Sequence, residues 1–264
     1  MHLSSLLLAC TAGLSGAAAK TTQPILFAGS YTRQEAWVNG TGKGIYTFKF
    51  NASDGSLTPF GVTQVGTNPM YVQGSTKTFS DGKPIPYAIN SVGDNSTNQP
   101  GTQTGFVSAL TLQSDGTLKT LNTLETQGAV PVHISLSPNE NFVVVSNYAN
   151  SVTMYPLKDD GSLSSKTFHQ AFPIGSNVVA SRQASGHPHS TMWLPHSNHV
   201  VVADLGSDEL HQYELDQENQ TLKSIGSVHS LPGSGPRHMA HHPNGRFAYV
   251  VGELTNSVSV YKIA

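Results

Sequence analysis

A proline-to-proline spacing that recurs three times constrains this chain more than any other feature. Pro131-Val-His133 is followed seven residues after its proline by Pro138, and then by Phe142-Val-Val-Val-Ser-Asn147. Pro188-His-Ser190 leads in the same way to Pro195 and His199-Val-Val-Val-Ala-Asp204. Pro236-Arg-His238 leads to Pro243 and Phe247-Ala-Tyr-Val-Val-Gly252. Each copy reads as a short strand, a turn and a second strand. A companion pattern follows: Gly44-Ile-Tyr-Thr-Phe-Lys-Phe50 runs into Asp54-Gly-Ser-Leu57, Gly105 to Leu112 into Asp115-Gly-Thr-Leu118, and Ser151 to Leu157 into Asp160-Gly-Ser-Leu163. Glu209 to Leu215 runs into Asn219-Gln-Thr-Leu222, with the Asp-Gly softened. Asp-Gly supplies the positive φ angles of a tight two-residue turn, so each copy predicts a β-hairpin.

Joined, the two patterns make a unit of four strands. The lead prolines Pro69, Pro131, Pro188 and Pro236 stand 62, 57 and 48 residues apart, and no helical periodicity of any length occurs between them. Repeats of roughly 40–60 residues with four strands each imply an all-β fold, a β-propeller of four-stranded antiparallel blades. A β-sandwich would leave the echo of proline spacing unexplained. Blades begin near residues 67, 129, 186 and 234. Residues 24–66 carry strands without a lead proline, as when N-terminal strands complete the last blade of a ring. The chain thus holds about four and a half blades.

Composition sets the setting. With 264 residues the chain is long enough for one domain with a large core. A net charge of -2 and 11% charged residues argue against a nucleic-acid partner. Residues 1–19 read as a signal peptide, with an apolar run from Leu6 and small residues Ala17-Ala-Ala19 before Lys20, leaving 20–264 as one propeller domain. The single Cys10 falls inside that signal, which excludes a catalytic cysteine in the mature chain. Sequons at Asn39, Asn51, Asn95 and Asn219 fit a glycosylated, secreted protein; a cytoplasmic location is the alternative. No later stretch is long and apolar enough to span a bilayer.

Several motifs resemble one family, the seven-bladed propeller lactonases, which include 6-phosphogluconolactonase and the fungal 3-carboxy-cis,cis-muconate lactonizing enzyme. They are Gly29-Ser-Tyr-Thr32, Asn68-Pro-Met-Tyr71, Gly128 to His133, Ser146-Asn-Tyr-Ala149, Arg182-Gln183, His187-Pro-His189, Ala203 to Asp208, Gly233-Ser-Gly-Pro-Arg-His238 and Gly252-Glu-Leu254. The resemblance covers nearly all of 20–264 and implies that this chain corresponds to the first two-thirds of a seven-bladed ring. It departs from the pattern at Asn90-Ser91, where many relatives read Asn-Glu, and at Gly252-Glu-Leu254, where they read Asn-Glu-Leu. A further arginine expected in the cyclase's next blade has no counterpart in this sequence.

Aligned on the lead prolines, Val132, His189 and Arg237 share one column, and His133, Ser190 and His238 the next. Strict alternation would put the two columns on opposite faces of the inner strand. The resemblance implies His189, Arg237 and Glu253 as catalytic residues. Their chemistry suits a lactone: histidine as base near neutral pH, arginine holding an anion, and glutamate moving a second proton or orienting the arginine. Arg182, Gln183, His133 and His238 are candidate substrate contacts. For Arg182-Gln183 the alternative is to pin a loop, and for the two histidines a strand-end hydrogen bond. Asp204 and Asp208 read as turn ties. His187-x-His189 raises a metal, but Pro188 between them and the absence of an accompanying Cys or carboxylate set count against it. No metal or other cofactor is expected. Two functions follow: an enzyme that hydrolyses a small anionic sugar lactone (or, alternatively, cyclises a carboxymuconate), or a non-catalytic binding scaffold.

Overall fold

A computed structural model of the protein describes residues 23–80, 82, 84–93 and 104–263. The expected signal peptide, Cys10 and the Asn95 sequon lie outside them. Every regular element among the described residues is a strand, and the strands form five antiparallel sheets. Sheet one holds β1 (Ile25–Ala28), β2 (Ile45–Phe50) and β3 (Leu57–Thr63). Sheet two holds β4 (Pro69–Thr78), β5 (Pro84–Asn90), β6 (Phe106–Leu112) and β7 (Leu118–Glu125). Sheet three runs β8 (Ala129–Leu136), β9 (Phe142–Ala149), β10 (Ser151–Pro156) and β11 (Phe168–Ala171). Sheet four runs β12 (Pro188–Trp193), β13 (His199–Asp204), β14 (Glu209–Asp216) and β15 (Thr221–His229). Sheet five has β16 (Pro236–His241), β17 (Phe247–Gly252) and β18 (Ser257–Lys262). The four-strand repeat is therefore present, with each lead proline at or near the start of an inner strand. Strands β4, β8, β12 and β16 lie side by side as that inner row.

The second strand of a sheet is apolar on both sides because it is buried on both sides. In β9, Val143 and Val145 pack toward sheet two with Tyr87 and Ile89, while Phe142 and Val144 pack toward sheet four with Trp193, Val200 and Val202. Strand β13 repeats this, with Val200 and Val202 on one face and Val201 and Ala203 on the other, against Val250 of sheet five. This explains why Val-Val-Val runs, rather than alternating patterns, mark these strands. Sheet five differs: Val258 and Val260 of β18 stay 62% and 61% exposed.

The Asp-Gly hairpins form, but by a different turn from the one expected. Only the glycines take positive φ, at 76° for Gly55, 87° for Gly116 and 78° for Gly161. Each aspartate instead accepts a hydrogen bond from the N–H two residues on, at Ser56, Thr117 and Ser162. The loops are correspondingly longer than two residues, as in the Gln113 N–H bond to the Thr117 carbonyl. Gln220, at φ 51°, takes the glycine's place in the fourth copy.

Polar side chains at the ends of the second strands tie the sheets to the linkers between them. Asn90 Nδ2 donates to the carbonyls of Val65 and Thr67, and Asn147 Nδ2 to the carbonyl of Thr126. Asp204 Oδ1 accepts from the N–H groups of His187, Gly206 and Ser207. Asp208 accepts from Gly233 N–H at 2.7 Å, Gly235 N–H at 2.9 Å and Ser176 Oγ at 2.9 Å. A backbone bond recurs one residue beyond the second strand: Ser91 N–H to Asn68 O (3.0 Å), Leu205 N–H to His187 O (3.1 Å) and Glu253 N–H to Gly235 O (2.9 Å). These three residues therefore occupy equivalent places.

Asp208 is buried and fully engaged. Asp208→Ala strands two buried amides and is expected to cost about 2–3 kcal/mol, read as a fall in Tm of roughly 5–10 °C by circular dichroism. A Tm within about 1 °C of the parent would show that the tie carries no stability.

Candidate active site

The first turn of each inner strand does not alternate strictly. The pairing with the second strand shifts register between Pro69 and Tyr71, between Pro131 and His133, between Pro188 and Ser190, and between Pro236 and Met239. A bulge re-aims the side chains around it, which corrects the expectation that the two columns separate onto opposite faces. His189 of the first column meets His238 of the second with ring centroids 5.3 Å apart, and His238 meets His133 at 5.6 Å. Tyr71 of β4 completes this group, 4.8 Å from His133 and 6.5 Å from His238.

Glu253, one step beyond β17, joins the charged groups. Its Oε2 accepts from Arg237 Nε at 2.8 Å, and its Oε1 accepts from Arg182 Nη2 at 2.6 Å. Arg182 comes from the loop between β11 and β12, and its Nη2 also donates to the Tyr148 hydroxyl at 3.1 Å. His189 Nε2 lies 4.0 Å from Glu253 Oε2, beyond direct hydrogen bonding. Thus the three expected catalytic residues His189, Arg237 and Glu253 lie together, as do Arg182, His133 and His238.

Gln183 does not join them. It is fully buried, its Oε1 accepts from Val179 N–H, and its Nε2 donates to the Leu205 carbonyl. Of the paired expectation for Arg182-Gln183, the arginine reaches the charged group and the glutamine pins the loop. Tyr148 was not singled out by sequence, although it follows Asn147 as Leu205 follows Asp204 and Glu253 follows Gly252. It stacks on His187 at 4.4 Å and 13° and meets His189 edge-on at 5.7 Å. His187 and His189 are thereby spread around one tyrosine ring, with His187 Nδ1 against the Tyr148 carbonyl at 2.7 Å. Among the described residues no group of three or more His, Cys, Asp or Glu is arranged to hold a metal ion.

Burial and neighbouring charge keep these imidazoles neutral. Desolvation, then the facing His238, pushes His133 down to about 3. Desolvation and then Arg237 push His238 down to about 4, opposed by Glu253. His189 is depressed well below the usual histidine range by burial first and Arg237 second. Arg182 is held more firmly protonated by its bonds to Tyr148 and Glu253. With two guanidiniums, one carboxylate and three neutral rings, the cluster carries a surplus positive charge. Arg237 uses only Nε on Glu253, which leaves the ends of its guanidinium for an anion.

Two cavities flank the region. One of about 350 Å³ includes His133 with Gln73, Ser135, Glu140 and Trp193. A larger one, about 580 Å³, is lined by residues that include Phe172, Ile174, Pro232, Glu209, His211 and His229. There His211 sits between Asp204 (3.2 Å) and Glu209 (3.3 Å), and Asp204 serves chiefly as the turn tie already described.

An inner row of propeller strands, carrying an arginine–glutamate–histidine cluster at its proline end, defines the class of this protein. Residues 25–264 match the family model "Lactonase, 7-bladed beta-propeller", and the chain belongs to that family. It is 31% identical over 238 residues to a 6-phosphogluconolactonase of Bacillus subtilis, covering 90% of this chain and 62% of the relative. It is 29% identical over 244 residues to a 6-phosphogluconolactonase of Formosa agariphila, covering 90% and 64%. Among solved structures it resembles a putative 6-phosphogluconolactonase of Bacteroides fragilis (TM-score 0.76, 28% identity, 94% of this chain and 66% of that one). It also resembles a periplasmic gluconolactonase of Pseudomonas aeruginosa (TM-score 0.77, 28% identity, 90% and 64%). The chain thus spans somewhat under two-thirds of the length of these curated relatives.

The neutral histidines make stability depend on acid. Unfolded, they protonate near 6.5; folded, His238 does so near 4 and His133 near 3. Between those values the unfolded chain binds more protons, so their contribution is complete above pH 6.5 and is lost as pH falls through the window. Tm is expected to drop from pH 7 to pH 4.5, and His238→Asn to flatten that slope. An identical slope in the variant would contradict a neutral, half-buried His238.

Proposed function

We propose that this protein hydrolyses a small anionic sugar lactone. The observation that carries the reading is Glu253 clasping Arg182 and Arg237 from two different segments beside a buried, neutral His189. The names of its relatives, 6-phosphogluconolactonase and gluconolactonase, favour the hydrolytic direction over cyclisation.

In this reading the free end of the Arg237 guanidinium holds an anion, either the substrate's own charge or the oxygen that becomes negative as the carbonyl is attacked. A neutral imidazole is the form able to accept a proton, so His189 takes one from water as the water oxygen bonds to the carbonyl carbon. The tetrahedral intermediate collapses with cleavage of the ring C–O bond. The departing ring oxygen regains a proton from the imidazolium, giving the open hydroxy acid. Glu253 holds both arginines in place. His133, His238 and Tyr71 form the floor of the site, and Gln183 keeps the Arg182 loop in position. No metal or other cofactor enters this scheme.

The setting belongs to the same proposal. A secreted, glycosylated protein fits the signal-like residues 1–19 and the exposed sequons at Asn39 and Asn219. The periplasmic gluconolactonase relative offers a precedent for a lactonase of this fold outside the cytoplasm. Its partner is then a small soluble lactone, with neither nucleic acid nor membrane involved.

The test is lactone opening followed by pH-stat on glucono-δ-lactone and its 6-phosphate. His189→Ala is expected to lower kcat by about 10²–10⁴-fold. Arg237→Ala is expected to raise KM by roughly 10–100-fold, the equivalent of about 1.4–2.8 kcal/mol of anion binding. Full activity in both variants, or none in the parent, would rule out this site as the lactonase centre.

A further inference from the structure

A second buried acid–base pair stands on the sheet-two side of the same inner row. The segment between β1 and β2 turns back on itself, with Gly40 N–H bonded to the Arg33 carbonyl and Glu35 N–H to the Val38 carbonyl. This sends the Glu35 side chain inward, where it is completely buried. Glu35 Oε1 accepts from Arg33 Nε at 2.7 Å and from Asn68 Nδ2. Asn68 Nδ2 also approaches the Ser91 carbonyl at 3.3 Å, and Asn68 is locked to Thr32 by a reciprocal pair of bonds.

Ser91 occupies the place on sheet two that Glu253 occupies on sheet five, as the recurrent backbone bond one residue past the second strand shows. Its neighbour along the row, Tyr71, follows Asn68 by three residues and touches both His133 and His238. Through Asn68 the Arg33–Glu35–Ser91 group is joined to β4, the strand that carries Tyr71, on a different sheet from Arg237 and Glu253.

Its bonding is incomplete in a specific way. Arg33 Nη2, Glu35 Oε2 and Ser91 Oγ are all buried and lack a hydrogen-bond partner among the described residues. A buried ion pair kept only for structure gains by saturating its remaining donors and acceptors, because each one left bare costs free energy. Together the three atoms offer one donor, one acceptor and one group that is both. A phosphate or carboxylate would be repelled by Glu35 and an ammonium by Arg33. A hydroxyl group both donates and accepts, and adjacent hydroxyls match the set.

We propose that Arg33, Glu35 and Ser91 form a subsite for neighbouring hydroxyl groups of the ligand, whose anionic end lies at Arg237 and Arg182. The proposal rests on the lactone reading for that anionic end, and it makes the number of hydroxyls a determinant of specificity.

Binding tests it independently of turnover. Calorimetric titration with gluconate and with 6-hydroxyhexanoate, an acid of the same chain length without the internal hydroxyls, compares the two ends of the site. The parent is expected to bind gluconate roughly tenfold more tightly, equivalent to about 1.4 kcal/mol. Ser91→Ala, which removes only a hydroxyl, and Glu35→Gln are each expected to lose most of that margin by weakening gluconate. Equal affinity for the two acids, binding of neither, variants that weaken both alike, or variants that keep the margin would each overturn the subsite. If the chain discriminates between the acids but opens no lactone, the hydrolase reading falls while the subsite stands.

Discussion

The contact on which everything else rests is the burial of second strands such as β9 and β13 between two neighbouring sheets. Val143 and Val145 face one way and Phe142 and Val144 the other, and β13 does the same one sheet further on. A strand so enclosed has no solvent side, so its polar groups concentrate at its end. There Asn90, Asn147 and Asp204 fasten the incoming linker by its backbone. The linkers in turn deliver each lead proline to the same point of the inner row. Hydrophobic burial sets the sheets side by side, and these short polar ties set their relative height.

The cluster follows from that alignment. Because corresponding residues of successive sheets arrive at the same level, His189 and Arg237 from two strands meet Glu253 from the turn after a third, and Arg182 reaches them from a loop. The bulge after each lead proline does the rest, bringing His133 and His238 to the same place as His189. Crowding three imidazoles together beside two partly exposed guanidiniums leaves protonation of the rings unfavourable, and the single carboxylate is spent on the arginines. The electrostatics are a product of packing rather than of any one residue.

The sheets were legible in the sequence because their cause is periodic: the proline spacing and the Val-rich runs report a unit that must stack on copies of itself. The column containing Glu253 was legible for the same reason, and it already held Tyr148, whose place beside His187 and His189 could have been read from it. Other features have no periodic trace. Bulges shift register by one residue without a marker in the side chains, so the alternation argument separated His133 from His189 when the backbone brings their columns together. The aspartates of the Asp-Gly turns were given a φ they do not adopt, because their carboxylates, which cap the turn, were left out of the reasoning. Gln183 and Glu35 owe their burial to long-range folding of irregular segments, which local pattern does not encode.

The recurrent bond one residue past the second strands of sheets two, four and five gives the fold a set of sockets. Ser91, Leu205 and Glu253 are held in the same backbone frame, yet one carries a hydroxyl, one an alkyl group and one a carboxylate. The frame is made by main-chain atoms, so it does not depend on which side chain it presents. Chemistry at the rim can therefore change by a single substitution while the scaffold stays intact. Leu205, enclosed and apolar, is a socket without a chemical role in the cluster, and its presence shows that the architecture is indifferent to how many of its positions are put to use.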